Sequence, residues 1–395
     1  MKSARRGQVS TRVAHAARFW RARLKRERTH ALPSHNNRVR LLHDGIEAFP
    51  AMLRAIASAK EEVLLEMYWF GSDRTGYRFA EALMERARAG VTVRVSYDAI
   101  GSLEAGTAMF DELRAAGAEV HEFNPIAPWR QRFSFARINQ RDHRKLLVVD
   151  GLLAITGGFN IGDPWAPKEE GGQGFHDDGI EIVGSAALEL RALFYRTFPA
   201  SPRELARELE MVGNTQLTVL ASDLHAERRD IHDGYINAIA RATRDIVIVN
   251  SYFIPVGRVR RALARAVLRN VRVRVMMPRD TDVKVAQLAS RHLYTRLLRD
   301  GIELYEWAGG VLHSKTAAVD DDWCTVGSFN FDARSINNNL ELNIAILDHE
   351  VNAALRRRIA RDLTQAVRIE LGPWSKRSWF IRLIERFVYA FRWLL

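Results

Sequence analysis

Three patterns of apolar and polar positions occur along this chain, and each occurs twice. "AIASAKEEVLLEMYWF" (55–70) and "AIARATRDIVIVNSYF" (238–253) both predict a helix end that runs into a continuous apolar stretch, the signature of a buried strand. "ALMERARAGVTVRVSYDA" (82–99) and "ALARAVLRNVRVRVMMPR" (262–279) both predict an amphipathic helix, a Gly or Asn stop and an alternating strand. "ELRAAGAEVHEF" (112–123) and "RLLRDGIELYEW" (296–307) repeat helix, Gly and strand. The order is the same in both sets, so one α/β unit is used twice. The expected division is a tail at 1–40, halves at 41–205 and 206–370, and a terminal segment at 371–395. The join falls in "FPASPRELARELEMVGNTQ" (198–216).

A fourth repeat carries chemistry. "HRKLLVVDGLLAITGGFN" (143–160) returns as "HSKTAAVDDDWCTVGSFN" (313–330). His143, Lys145, Asp150 and Asn160 correspond to His313, Lys315, Asp320 and Asn330, and Gly157-Gly158 corresponds to Gly327-Ser328. Each copy reads as strand, turn, strand. Alternation along a strand puts His143 and Lys145 on one face, and His313 and Lys315 likewise. The Gly pair lets backbone approach a ligand, and the Asn brings an amide donor.

Composition narrows the setting. The chain of 395 residues is 47% hydrophobic and carries one cysteine, Cys324, so no internal disulfide framework is expected. No apolar run is long enough for an ordinary transmembrane helix, and the basic N-terminus lacks the apolar stretch of a signal peptide. Residues 1–40 hold twelve Lys or Arg against the single acid Glu27, so nearly all of the net charge of +12 is in that segment. A basic tail on a near-neutral body is either a solvated arm or a contact for an anionic surface.

The residue types converge on phosphorus chemistry. Lys binds phosphate as a point charge, and His serves as nucleophile or proton carrier near neutral pH. Two such sets related by a pseudo-twofold axis would put two His on opposite sides of one phosphorus, one to attack and one to protonate the leaving oxygen. No metal and no cofactor is expected. Neither motif offers His or Cys pairs at ligand spacing, and each places a cation two residues from its His.

HxKxxxxD followed by G-G/S-x-N, twice in one chain, resembles the phospholipase D superfamily over roughly residues 40–370. The resemblance implies an α/β fold of two α/β/α halves with the active site at their seam, a covalent phosphohistidine and no metal. It implies His143 and His313 as nucleophile and acid–base pair, with Lys145, Lys315, Asn160 and Asn330 on the phosphate. Ser328 is a further phosphate-binding candidate. Asp150 and Asp320 complete the catalytic motifs, as supports rather than chemistry. "HDDGIEIVG" (176–184) and "LELNIAILD" (340–348) supply the acids that family members use to orient each His, here Asp177 and Glu341, with Asp178 as a substitute for the first. Within the superfamily the chain is most similar to bacterial cardiolipin synthases of the short branch, through "VLLEMYWFGSDRTG" and "FDARSINNNLE". That likeness implies phosphatidyl transfer from phosphatidylglycerol to a second phospholipid. Water as acceptor would make the same site a phosphodiesterase or nuclease.

The partners expected are therefore phospholipid substrates and an anionic membrane surface, with no nucleic acid, at the cytoplasmic side of a cell's inner membrane. "SWFIRLIERFVYAFRWLL" (378–395) gathers Arg382, Glu385, Arg386, Tyr389 and Arg392 on one helical stripe among Trp, Phe, Leu, Ile and Val, the pattern of an interfacial helix. "WRQRFSFARINQR" (129–141), just before His143, mixes Arg with aromatics and is a candidate mouth loop.

Overall fold

Runs such as "LLVV" at Leu146–Val149 and "KTAAV" at Lys315–Val319 show no alternation, and every residue in both is buried. Strands of that kind need cover on both faces, and the computed structural model provides it. It describes residues 33–127, 134, 137–202, 204, 211–223 and 228–394. Residues 1–32 of the expected tail and most of the candidate mouth loop, at 129–133 and 135–136, lie outside the described residues, as does the expected division near 205.

One continuous mixed sheet runs through both halves. At its centre Ser34–His43 pairs antiparallel with Thr215–Asp223, Asn37 opposite Thr215. Outward on one side come Asp178–Gly184, Leu153–Gly157, Leu146–Val149, Glu62–Met67, Thr92–Asp98 and Glu119–Phe123. Outward on the other come Leu342–Leu347, Trp323–Gly327, Lys315–Val319, Asp245–Asn250, Arg272–Asp280 and Glu303–Val311. The two series match position for position. The short strand Val367–Ile369 extends the second edge alone. The first half thus starts at Ser34, inside the segment that composition reads as tail, because Val39 and Leu41 pack against the core.

Helices cover the sheet. Asp44–Ser58, Arg74–Arg88 and Thr107–Ala115 bury Phe49, Met52, Phe79, Leu83 and Phe110 against one face of the first half. On the other face Ser185–Phe194 and His349–Gln365 bury Leu190, Phe194, Leu355 and Ile359 in a core that also contains Ile180, Leu217, Leu342 and Ile344. That core crosses the centre line, so the halves share apolar packing as well as strands.

Two smaller links sit at the seam. Arg141–Asp142 pairs parallel with Asn339–Leu340, and His176 bridges Leu312. The His143 amide donates to the Leu340 carbonyl at 2.9 Å, and the His313 amide donates to the His176 carbonyl at 2.8 Å. Each motif His therefore lies just before its strand, which begins at Leu146 or Lys315, held by backbone of the opposite half.

Asp150 and Asp320 lie at the far end of these strands, as supports. Both adopt left-handed backbone (φ 51° and 46°). The Asp150 carboxylate accepts from the amides of Lys60, Glu61 and Glu62, and Asp320 accepts from those of Thr243, Arg244 and Asp245. They close the same helix-to-strand corner in each half and are not among the residues lining the site. Asp150→Ala strands three amides and puts a β-carbon residue without a local hydrogen bond at positive φ, a loss of about 2–4 kcal/mol. Its thermal midpoint should fall by several degrees, while turnover per folded molecule stays near wild type. Loss of turnover without loss of stability would return Asp150 to the chemistry.

Candidate active site

The two motif strands bring His143 and His313 to one cavity of about 490 Å³ at the seam. Asn160 and Asn330 line it as well, with Tyr68, Trp165, Phe175, Tyr252 and Ile254 forming much of its wall. Apolar and aromatic side chains supply most of the wall area, and charged groups, Arg141, Asp282, Asp332 and Arg334, line it beside the histidines and asparagines, a mixture that suits an amphiphilic ligand.

Each histidine is held by an acid from the other half. His313 Nδ1 lies 2.7 Å from Asp177 Oδ2. His143 Nδ1 lies 3.0 and 3.1 Å from the two carboxylate oxygens of Glu341. Both acids are fully buried. A carboxylate at Nδ1 favours the proton on that nitrogen and leaves Nε2 of each ring clear of the acid; Lys315 Nζ also lies 2.9 Å from His313 Nδ1. Asp177, rather than its neighbour, takes this role. The Asp178 carboxylate instead accepts from the Ser314 hydroxyl at 2.5 Å and pairs with His43 and Arg358.

The two acids are supported differently. Asp177 accepts from the Trp165 indole at 2.9 Å and from the Asp178 amide at 2.9 Å. Glu341 accepts from the hydroxyls of Ser328 at 2.5 Å and Ser335 at 2.7 Å, with the Asn339 amide at 3.3 Å. This accounts for the one departure between the motifs. A β-carbon on Gly158 would come within 2.1 Å of Asp177 Oδ1, so that position must be glycine, while Ser328 in the equivalent place holds Glu341. Ser328 is therefore removed from the phosphate-binding set. Its hydroxyl donates to Glu341, accepts from the Leu342 amide and does not line the cavity.

Lys145 and Lys315 are buried beside the histidines. Lys145 Nζ donates to the His143 carbonyl at 2.6 Å, and Lys315 Nζ donates to the Ser251 hydroxyl at 2.9 Å. Burial lowers Lys145 to about 7 and Lys315 to about 8, against the pull of the nearby acids. An arriving phosphate would restore both charges. Asn160 Oδ1 accepts from the Trp69 amide, which leaves its NH₂ for a ligand, and Asn330 Oδ1 is buried with no protein partner.

Burial is also the main reason His143 is lowered to about 4. The Lys145 and Lys315 charges add to this, and Glu341 opposes it. His313 is lowered too, first by burial and then by Lys315. Burial alone would raise Asp177, but the His313 and Lys315 charges and the Trp165 donor outweigh it and hold the carboxyl below its usual range.

Tyr68 packs edge-on to His143 at 4.8 Å and Trp165 edge-on to His313 at 5.0 Å. Sequence reasoning did not select these residues, nor Tyr252, Asp282, Arg334 or Ser335. The "EMYWF" and "NSYF" repeats were the available signal, since both end a buried strand where the cavity opens.

A model of the family described as "Cardiolipin synthase, PLD-like domain" matches residues 52–166 and 235–363. The chain belongs to the cardiolipin synthase family of phospholipase D-like enzymes. It is 31% identical to the major cardiolipin synthase of Bacillus subtilis (strain 168) over 90% of this chain and 75% of that one. It is 30% identical to cardiolipin synthase B of Shigella flexneri over 91% of this chain and 88% of that one. Among solved structures, the phosphatidylserine synthase of Haemophilus influenzae Rd KW20 superposes with a TM-score of 0.70 at 14% identity, over 90% of this chain and 95% of that one, a likeness of fold. The fold expected from the repeated motifs, two phospholipase D-like halves, is the one observed.

Two outcomes follow from this geometry. Asp177→Asn and Glu341→Gln each remove the carboxylate that fixes a histidine tautomer, and each should lower kcat on the order of 10³-fold or more with KM little changed. Equal losses in KM would mark them as substrate contacts instead. His143 lowered to about 4 stays neutral between about pH 4 and 6.5, where a free imidazole becomes charged. The acid limb of kcat/KM should accordingly lie nearer pH 4 than 6.5, and a limb at 6.5 would contradict a neutral, buried His143.

Proposed function

We propose that the chain is a cardiolipin synthase. It transfers a phosphatidyl group from phosphatidylglycerol to a hydroxyl of a second phospholipid and releases glycerol. The observation that supports this most is the pair of histidines, each held through Nδ1 by a buried acid, on one cavity with apolar and aromatic walls. In this reading His313 is first protonated on both ring nitrogens beside Asp177; His143 Nε2 attacks the phosphorus, the bond to the glycerol oxygen breaks, and His313 Nε2 gives that oxygen its proton. The acceptor hydroxyl then loses its proton to His313 and attacks the phosphohistidine, and the P–N bond to His143 breaks. Lys145, Lys315, Asn160 and Asn330 hold the phosphoryl oxygens.

The unequal acids favour this division of labour. Glu341 shares its charge among Ser328, Ser335 and Asn339 as well as His143, whereas Asp177 has two other donors, Trp165 and the Asp178 amide, and makes the shorter contact with its histidine. The second pair is the better holder of a proton, so His313 suits acid–base work and His143 suits attack. The setting we infer is the anionic cytoplasmic face of the cell's inner membrane, with the chain peripheral. Among the described residues no helix is long and apolar enough to cross a membrane.

The test is a product assay. Purified full chain on phosphatidylglycerol vesicles should yield cardiolipin and glycerol in equal amounts, and His143→Ala and His313→Ala should each reduce this on the order of 10³-fold or more. Phosphatidic acid without cardiolipin would make water the acceptor and replace synthase with hydrolase.

A nitrophenyl phosphatidyl ester separates the two histidines, because nitrophenolate leaves without a proton. His313→Ala should release about one equivalent of nitrophenolate in a burst and keep an acid-labile adduct on His143. His143→Ala should release none. The reverse pattern would exchange the two roles.

A further inference from the structure

The helix Trp379–Ala390 carries its amphipathicity inside out. Glu385 is buried, and Arg377 donates to it through two nitrogens, at 2.6 and 3.1 Å. Tyr389 stacks on His292 of the helix Lys284–Arg299 at 4.6 Å. The stripe formed by Glu385, Val388 and Tyr389 is thus the side turned to the protein. The apolar side faces outward: Trp379 is 73% exposed, Phe387 66%, Phe380 56% and Leu383 53%, and Trp393 just beyond the helix is 63%. Water-soluble chains rarely leave that many large apolar side chains contiguous and uncovered. Lys376, Arg382, Arg386 and Arg392 are exposed around the same face.

The helix also has a direction. Trp374, just before it, stacks on Tyr294, whereas Tyr389 near its end meets His292. The turn Arg392–Leu394 then lies against the helix Ala333–Asn337, whose Arg334 and Ser335 line the catalytic cavity. Helix Lys284–Arg299 starts at that cavity too, where Val283 and Ala286 line it and Val283 and Val285 are exposed. The outward apolar face therefore leads along the protein surface to the mouth of the site.

We propose that this face is the docking surface for an anionic phospholipid bilayer, inserted to the acyl boundary so that the cavity opens at headgroup depth. The occupant follows from complementarity. Aromatic and aliphatic side chains at the centre match acyl chains, and the four exposed cations at the margins match anionic headgroups. A second copy of the chain would bring cations against the same cations. The proposal rests on the phospholipid reading of the site, and it adds how a substrate that stays in a bilayer reaches a buried histidine pair: by lateral entry from the layer in which the helix lies.

The experiment uses the chain of 395 residues and flotation with phosphatidylglycerol/phosphatidylcholine vesicles at high salt, where attraction by charge, that of the basic N-terminal sequence included, is screened. The substitutions are Trp379→Ser, Phe380→Ser, Phe387→Ser and Trp393→Ser together. The expected result is that the wild type floats and the variant's bound fraction falls about tenfold or more. Turnover of short-chain phosphatidylglycerol dispersed as monomers should stay within about twofold of wild type. Equal flotation of variant and wild type would overturn the proposal. So would a wild-type dimer that the substitutions dissociate while flotation is unchanged.

A second, conservative variant guards against misfolding. Trp379→Phe with Trp393→Phe keeps the apolar face and should still float, but should lose much of the fluorescence quenching that brominated acyl chains produce in the wild type. Undiminished quenching would also overturn the proposal. Flotation that depends on the face, with no lipid turnover in any form, would support the docking surface and refute the transfer reading.

Discussion

The site depends on two hydrogen bonds that cross the molecule: Asp177 to His313 and Glu341 to His143. In each, the acid comes from one half and the base from the other. A buried carboxylate without a partner is costly, and a buried imidazole without a fixed tautomer is a poor nucleophile. Each acid takes its other donors from its own half, Trp165 and the Asp178 amide for Asp177, and Ser328, Ser335 and Asn339 for Glu341, and its histidine from the opposite half. The backbone makes the same exchange, His143 to Leu340 and His313 to His176, so strand pairing sets the side-chain geometry directly. The continuous sheet and shared core then act as a frame for the two groups that the proposed mechanism sets on one phosphorus.

Near-symmetry leaves small differences, and in the proposed mechanism these give the histidines separate work. One methylene distinguishes Glu341 from Asp177, and the space around each acid is adjusted to it: glycine at 158, where a β-carbon would strike the carboxylate, and serine at 328, where a hydroxyl is wanted. The lysines differ as well. Lys145 lies 5.1 Å from the Tyr68 ring centre, whereas Lys315 donates to Ser251. A site built from two copies of one motif can in this way hold one imidazole ready to attack and the other ready to carry a proton.

Much of this was legible in the sequence because a repeat reports on itself. The copies of His and Asn fall on the cavity and the Lys copies are buried beside the histidines, and the order of helix and strand patterns identified the paired α/β halves. Asp177 and Glu341 were legible as acids, but not the crossing of each to the opposite half's histidine, since no local pattern encodes a contact between residues 136 or 198 positions apart. Ser328 was misread for the same reason: a hydroxyl beside a phosphate motif suggests phosphate, and only tertiary packing shows it turned to Glu341. The C-terminal helix was readable as amphipathic, but a moment has no sign relative to the protein, and burial of Glu385 decided which side faces out.

The central claim is that His143 and His313 address one phosphorus from opposite sides, each fixed by the other half's acid. The most direct measurement is a crystal structure of the chain with vanadate, which adopts the trigonal-bipyramidal geometry of in-line phosphoryl transfer. The account predicts vanadium bonded to His143 Nε2 at one apex, the opposite apical oxygen within hydrogen-bond distance of His313 Nε2, and both Nδ1–carboxylate contacts kept. Vanadate bound with the two histidines on the same side, or with either histidine released from its acid, would contradict it.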